Sequence, residues 1–224
     1  MSARDEVLAR IRTATGPAIR TGPAIRTGPA ARETRTGGHT GPPAAYRTRG
    51  ELSGTPLLDL LAERLADYRA LVHGATPVTL ADEISGALAR RQARRIVVPP
   101  ALRLPLPEFV TATADRPPFL SPAELDTFDG VVTRAAVAVA ETGTIILDGS
   151  PDQGRRAISL VPDYHLCVVE AGQVVQLVPE AVATLSAGQP LTWISGPSAT
   201  SDIELDRVEG VHGPRTLEVI LVTG

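Results

Sequence analysis

Short apolar runs separated by helical patterns constrain the fold of this 224-residue chain more than any other feature. The runs are rich in small and β-branched residues and lie at 96–98, 130–140, 145–147, 166–169, 191–194 and 217–222. Such runs are typical of strands that are buried on both faces of a sheet. The segment Glu141-Thr142-Gly143-Thr144 interrupts them, and it predicts a turn between two short strands.

Helical patterns lie between these strands. Thr55 and Pro56 form an N-cap and first-turn pair, and the apolar positions after them predict one helix that runs through Val72 to Gly74. Further helices are predicted over 81–93, 122–127 and 179–185. We expect a short strand at 77–80 and a surface loop at 101–120. Strands that alternate with helices predict an α/β fold with a mostly parallel sheet.

The first fifty residues differ in composition from the rest. Residues 16–32 hold three copies of a six-residue repeat, which reads Gly-Pro-Ala-Ile-Arg-Thr in the first two copies. A proline in every copy forbids a regular helix, and three copies are too few for a β-helix. We therefore expect an N-terminal helix within 1–15, a flexible Gly/Pro/Arg linker over 16–50 and a folded domain over 51–224. The alternative for the repeat is an Arg-bearing arm that docks on an acidic partner.

Composition excludes several classes of function. The 22 basic residues are all Arg, so a Schiff-base lysine and a Walker A lysine are both ruled out. The single cysteine, Cys167, excludes an internal disulfide and a Cys-ligated iron–sulfur cluster or zinc ribbon within this chain. A chain with one cysteine fits a reducing cytoplasm.

Charge and hydropathy exclude further classes. Residues 51–224 carry thirteen Arg against 22 acids and six aromatic side chains, so no basic, aromatic surface for nucleic acid is predicted. No stretch approaches the length of apolar sequence that a membrane span needs. The charged opening at residues 1–6 leads us to expect no secretory signal.

The Glu141–Thr144 turn is the first of three polar segments at the ends of predicted strands, where open α/β sheets bind ligands. A carboxylate at the end of an apolar strand suits a base, a nucleophile or a ligand contact. Thr142 and Thr144 add hydroxyl groups, and Gly143 would let a ligand approach the backbone. The alternative is a structural turn whose Glu accepts hydrogen bonds from backbone amides.

The second segment, residues 195–202, follows the predicted strand at 191–194. Its hydroxyls and amides could hold a phosphate or a carboxylate, and the ligand-binding candidates are Ser198, Thr200, Ser201 and Asp202. The segment lacks the spacing of dinucleotide and P-loop motifs, so it does not predict nucleotide binding. The alternative is a loop whose Ser201 or Asp202 caps a helix.

The third segment, residues 210–215, contains His212 and Arg215 around a Gly-Pro pair. Together they could clamp an anion, with His212 as an acid or a base. The alternative is a tight turn with an exposed histidine. Asp163 and His165 flank Tyr164, but two ligands are too few for a catalytic metal site.

Four ordered segments carry a family resemblance: AETGTI at 140–145, LVPDYH at 160–165, SGPSATSDIE at 195–204 and GVHGP at 210–214. They resemble the LUD-domain family, and within it the lactate utilisation protein C (LutC) group. The resemblance implies a three-layer α/β/α sandwich with a mostly parallel sheet, related to the NagB, RpiA and CoA-transferase folds. It also implies a component of a three-protein system that oxidises L-lactate to pyruvate. Iron–sulfur clusters would lie on LutA-like and LutB-like partners, and none on this chain.

Related CoA-transferases use a Glu in an E-x-G context as nucleophile, and Glu141-Thr142-Gly143 is similar. The leading hypothesis is a LutC-like component that binds a small carboxylate, or a cofactor of a partner, through the three segments. The alternatives are a stand-alone acyl- or CoA-transferring enzyme that uses Glu141, and an assembly protein without a ligand. Because parallel strands deliver the loops that follow them to one edge, we expect one pocket to be shared by Glu141, Ser198, Thr200, Asp202 and His212.

Overall fold

A computed structural model of the chain describes residues 46–186, 188–198 and 213–223. The helix predicted within 1–15 and the repeat at 16–32 lie outside the described residues. Within the described ranges, none of the helices is both long and apolar enough to cross a membrane.

The described chain contains ten strands, five α-helices and one 3₁₀ turn. The strands are β1 (Leu71–Ala75), β2 (Arg95–Val98), β3 (Thr111–Ala114), β4 (Gly130–Arg134), β5 (Val137–Val139), β6 (Thr144–Leu147), β7 (Tyr164–Glu170), β8 (Val174–Val175), β9 (Thr192–Ile194) and β10 (Thr216–Val222). The helices are α1 (Gly54–Asp67), α2 (Leu80–Arg90), α3 (Pro122–Leu125), α4 (Arg156–Leu160) and α5 (Val178–Thr184), and the 3₁₀ turn is Ala171–Gln173.

Six of the strands form one sheet in the order β1-β10-β7-β4-β2-β3. Every neighbouring pair is parallel. The central strands β7 and β10 are almost entirely buried, because side chains on both of their faces are covered by other elements. The predicted α/β fold with a mostly parallel sheet and flanking helices is confirmed.

A second, smaller sheet has the order β8-β5-β6-β9. β5 and β6 pair as an antiparallel hairpin, β9 joins β6 antiparallel, and β8 joins β5 in parallel. The predicted pair of strands about the Glu141–Thr144 turn is this hairpin. The apolar run at 130–140 supplies strands to both sheets, because the chain leaves the larger sheet after Arg134 and enters the smaller one at Val137.

The two faces of the larger sheet are covered by different elements. On one face Cys167 and Val219 pack with α1 and with the inner side of the small sheet. Farther along this face Val97 and Val131 pack with α3 and α4. On the opposite face Ile220, together with its neighbours, packs against α2. The outer side of the small sheet is covered by α5.

Two predicted elements near the start of the domain are wrong. The first helix ends at Asp67, and Val72 belongs to β1 rather than to the helical face. Arg69 has a positive φ of 68°, which ends the helical path before the strand begins. The strand expected at 77–80 is the turn that leads into α2, where Thr79 Oγ1 accepts from Thr76 N at 2.9 Å. The loop predicted at 101–120 also contains the edge strand β3.

Candidate functional site

A cavity of about 270 Å³ lies beside the fully buried side chain of His165. The described residues that line it are Ser159, Leu160, His165, Thr192, Trp193, Ile194, Ser195, Gly196, Pro197, Ser198, Gly213, Pro214 and Leu217. Apolar walls with a few polar groups are typical of sites for small molecules. We therefore take this cavity as the candidate site and call it the His165 cavity.

The His165 cavity lies where three strand ends meet. His165 and Leu217 are the second residues of β7 and β10, so the cavity lies at the amino ends of these parallel strands. Ser195 follows the last residue of β9 in the small sheet. The general argument from parallel strands predicted a pocket at their carboxyl ends. The cavity is at the opposite edge, because the 195–198 loop belongs to the small sheet.

His165 is held on one side by a hydrogen bond across the sheet. Its Nε2 atom lies 2.8 Å from Thr133 Oγ1 on the neighbouring strand β4. Among the described residues, Nδ1 has no hydrogen-bond partner. Burial lowers the pKa of His165 from 6.5 to about 4, since the charged imidazolium would lose its hydration. The imidazole is therefore neutral at physiological pH.

The side chain of Cys167 lies behind His165 on the same face of β7. Thr133 Oγ1 donates a hydrogen bond to Cys167 Sγ at 3.7 Å. Burial raises the pKa of the Cys167 thiol to about 12, so the reactive thiolate is not formed near neutral pH. Cys167 is thus a structural neighbour of the site and not a nucleophile.

Hydroxyl groups make up most of the remaining polar lining. Ser159 Oγ donates to the Arg156 carbonyl at 3.1 Å, which leaves its lone pairs available. Ser195 Oγ lies 2.8 Å from Thr144 Oγ1. The backbone of Ser198 is fixed by a hydrogen bond from its N–H to the Pro214 carbonyl at 2.8 Å. These bonds hold the two loops of the cavity in place.

The structure places Glu141 outside this cavity. It lines an open concavity with Leu60, Arg64, Asp67 and Tyr68, which we call the Glu141 concavity. Glu141 follows β5 of the small sheet and not a strand of the parallel sheet. The reason for expecting Glu141 beside Ser198 therefore fails, since the two residues do not follow strands that share one carboxyl edge.

The carboxylate of Glu141 has partners within the fold. Its Oε1 accepts from Arg47 Nη2 at 2.5 Å and from Gln176 Nε2 at 3.3 Å. Its backbone N–H donates to the Gln176 carbonyl at 3.1 Å. The side chain is 36% exposed, so water reaches it. Among the described residues, the carboxylate of Glu141 is therefore paired with two side chains.

Gly143 is required by packing of the turn against α1. Its φ is +56°, and a Cβ atom there would lie 2.8 Å from the backbone carbon of Arg64. The sequence suggested that Gly143 lets a ligand approach the backbone, but in the structure helix α1 takes this position. The hydroxyls of Thr142 and Thr144 form a hydrogen bond of 2.8 Å. The Thr144 hydroxyl also forms a hydrogen bond with Ser195, which lines the His165 cavity.

The His165 cavity and the Glu141 concavity are adjacent but separate. Gly196 lines the His165 cavity, and a Cβ atom on it would lie 2.7 Å from Tyr68, which lines the Glu141 concavity. A side chain larger than glycine at 196 would push these walls apart. The backbone at Gly196 also has a positive φ of 88°, which glycine adopts without strain and larger residues do not.

The remaining predicted site residues divide between the described and undescribed parts of the chain. Arg215 is not among the residues that line the cavity, and its guanidinium donates to the carboxylate of Asp163, which immediately precedes β7. Ser198 lines the cavity as predicted. Thr200, Ser201, Asp202 and His212 lie outside the described residues, so their roles stay predictions.

His165 is the site residue that sequence reasoning missed. The sequence did offer a signal, because a histidine at the head of the apolar run at 166–169 places a titratable group in a buried strand. It was considered only as a metal ligand. Among the residues that the structure describes, no three His, Cys, Asp or Glu side chains are grouped to hold a metal ion.

Comparison with known proteins gives four consistent findings. The LUD domain family model matches residues 123–222. Lactate utilization protein C of Deinococcus radiodurans is 51% identical over 188 residues, which cover 81% of this chain and 85% of that protein. Lactate utilization protein C of Bacillus subtilis is 33% identical over 100 residues, 41% of each chain. The crystal structure of a DUF162 family protein from Deinococcus radiodurans is 44% identical, with a TM-score of 0.67, and the match covers 76% of this chain and 99% of that one.

Proposed function

The chain belongs to the lactate utilization protein C family of LUD-domain proteins, and we propose that it serves lactate utilisation by binding a small carboxylate in the His165 cavity. It would act as one component of a system that oxidises L-lactate to pyruvate. The observation that carries the site is a cavity lined by hydroxyls beside a buried, half-partnered imidazole.

The chemistry of the lining supports a small, polar ligand. Ser159, Ser195 and Ser198 supply hydroxyl groups to the cavity wall. The described lining contains no acidic side chain that would repel an anion. The apolar remainder, which includes Leu160 and Leu217, would pack against the carbon skeleton.

The proposed system needs electron carriers on other proteins. Oxidation of an alcohol to a ketone releases two electrons, and a chain with one cysteine cannot ligate an iron–sulfur cluster by itself. We therefore place the clusters on LutA-like and LutB-like partners. Cys167, buried and protonated, is not suited to carry these electrons.

Deletion of the gene tests this function. We expect the deleted strain to stop growing on L-lactate and to grow normally on pyruvate, because only the oxidation step would be lost. The wild-type chain, returned with an affinity tag, should restore growth and co-purify with iron-containing partners. Normal growth of the deleted strain on L-lactate would overturn the proposal.

The accessible carboxylate of Glu141 supports a second candidate, acyl or CoA transfer with Glu141 as nucleophile. The isolated chain would then exchange thioesters without any partner, and Glu141→Gln would abolish both this exchange and growth on L-lactate. A Glu141→Gln strain that grows normally would remove this candidate and leave the first one in place.

A further inference from the structure

The segment before α1, residues 46–52, is held in place by side chains and belongs to no helix or strand. We call it the strap. The Gly50 N–H donates to Glu180 Oε1 of α5 at 3.2 Å. The next two N–H groups, of Glu51 and Leu52, both donate to Gln176 Oε1, at 2.7 and 2.8 Å. Consecutive backbone N–H groups of the strap therefore depend on two side chains.

Gln176 also contacts Glu141. It directly follows β8, and it is buried. Only the oxygen of its side-chain amide can accept from the two strap N–H groups. The amide nitrogen is therefore the atom that lies 3.3 Å from Glu141 Oε1 and donates to it. One end of this buried side chain thus binds the strap, and the other end binds Glu141.

The strap contacts Glu141 a second time, through Arg47. Arg47 Nη2 donates to Glu141 Oε1 at 2.5 Å, and this is the same oxygen that accepts from Gln176. The Arg47 side chain is 63% exposed, and exposed ion pairs contribute little to stability. Hydrogen bonds to a buried side chain are costlier to lose. We therefore expect the bonds to Gln176 to hold the strap, and the strap to place Arg47 over Glu141.

Gly50 allows the strap to lie this close to Gln176. A Cβ atom at position 50 would lie 2.3 Å from Gln176 Cβ and 2.4 Å from Gln176 Oε1. Both distances are well below the roughly 3.5–4.0 Å at which non-bonded atoms pack. A side chain at this position would therefore push the strap away from Gln176. Gly172 in the 3₁₀ turn is different, because a Cβ atom there meets nothing within 4 Å.

We propose that Gln176 is a latch that couples the strap to the carboxylate of Glu141. When the strap is closed, Arg47 compensates the negative charge of Glu141. When the strap opens, Arg47 leaves with it, and the carboxylate faces the Glu141 concavity without that positive charge. Opening breaks a few hydrogen bonds and no helix or strand, which is typical of segments that open locally in native proteins. The inference concerns Glu141 and does not depend on the ligand of the His165 cavity.

Hydrogen exchange in the full-length protein tests whether the latch holds the strap. The Glu51 and Leu52 amides should exchange at least about tenfold more slowly than in an unstructured peptide of the same sequence, since exchange requires their hydrogen bonds to break. Gly50→Ala should remove this protection. Gly172→Ala is the matched control and should keep it. Wild-type amides that exchange as fast as those of the peptide would overturn the inference.

Carbodiimide labelling with an added amine tests whether the strap and Glu141 are coupled. Mass spectrometry follows the labelling of Glu141, and the exposed Glu108 is the internal reference. We expect Gly50→Ala to raise the rate at Glu141 relative to Glu108 by about threefold, because the open strap removes an exposed ion pair. Gly172→Ala should leave the ratio unchanged. Faster hydrogen exchange in the strap without faster labelling of Glu141 would show that the two are not coupled.

Arg47→Gln separates the latch from the ion pair. Loss of the guanidinium should raise the labelling of Glu141 to the same extent, whereas the Glu51 and Leu52 amides should stay protected because Gln176 still accepts from both. Loss of their protection would show that Arg47 holds the strap, and the proposed latch would be wrong. Thermal melts check that each variant is folded. None of these measurements involves L-lactate, so growth after gene deletion tests the proposed function separately.

Discussion

Two buried polar side chains, Glu218 and His165, occupy opposite faces of the same pair of strands, β10 and β7. Glu218 faces α2 and is surrounded by partners: His73 Nε2 at 2.8 Å, Arg90 Nη2 at 2.9 Å and the Tyr164 hydroxyl at 2.9 Å. His165 faces the cavity and has one described side-chain partner, Thr133. The first group is complete within the fold, and the second is not.

The difference distinguishes buried polar groups that stabilise the fold from those that are available to bind a ligand. A buried carboxylate is stable only when charges and donors surround it, and Glu218 has both. Burial, together with the proximity of Glu218, raises the pKa of Tyr164 well above the usual value, so the tyrosine remains a hydrogen-bond donor. A buried group with an unused atom beside a cavity has the opposite pattern, which is the one expected of a binding site.

The largest effect on stability should come from Glu218→Ala. Truncation leaves a cavity next to α2 and removes the acceptor for the buried Tyr164 hydroxyl. We expect the free energy of unfolding to fall by about 4 kcal/mol. Denaturant titration at pH 7 measures this change.

Arg90→Ala is the matched control for that experiment. The arginine side chain is 52% exposed, and an ion pair with an exposed partner contributes about 1 kcal/mol or less. A loss in Glu218→Ala no larger than in Arg90→Ala would mean that the Glu218 cluster does not stabilise the sheet. The contrast with His165 would then fail.

A pH titration of stability should give the next largest effect. The pKa of His165 is lowered from 6.5 to about 4 in the folded state, so the unfolded chain binds the proton more tightly. The contribution of His165 is therefore fully present above pH 6.5 and is lost as the pH falls toward 4, by roughly 3 kcal/mol.

The His165→Gln variant isolates this effect from other titrating groups. The difference between its free energy of unfolding and that of the wild-type chain should change with pH between 6.5 and 4 and stay constant above 6.5. Parallel pH profiles for the two proteins would show that His165 is not buried in its neutral form.

Elements that depend on local interactions could be predicted from the sequence, and features that depend on long-range contacts could not. Local signals placed α2, the capped helix α3 and the hairpin turn, because caps and periodicity act within a few residues. The division of the run at 130–140 between two sheets depends on which strands pair with it. β4 pairs with β2 and β7, and β5 pairs with β6 and β8; of these four strands, β2, β7 and β8 lie far away in sequence.

The candidate site was predictable only in part. Ser198 was found because a donor-rich loop after a strand is visible in the sequence. His165 was not, since its importance comes from Thr133, which lies 32 residues away, and from an unused ring nitrogen. Glu141 drew attention through its E-x-G context, but the partners Arg47 and Gln176 are not evident from that motif.

The smallest effect should come from Glu141→Gln. Its ion pair with Arg47 is exposed, so we expect the free energy of unfolding to change by less than about 1 kcal/mol. The affinity for L-lactate should stay the same, because Glu141 lines a different concavity. Calorimetric titration checks the affinity, and a clear loss would place Glu141 in the binding site after all.

A crystal structure of the full chain with L-lactate tests the central claim most directly. The account predicts L-lactate bound in the His165 cavity. L-lactate bound instead in the Glu141 concavity would contradict the claim. A structure without L-lactate in the His165 cavity would contradict it equally.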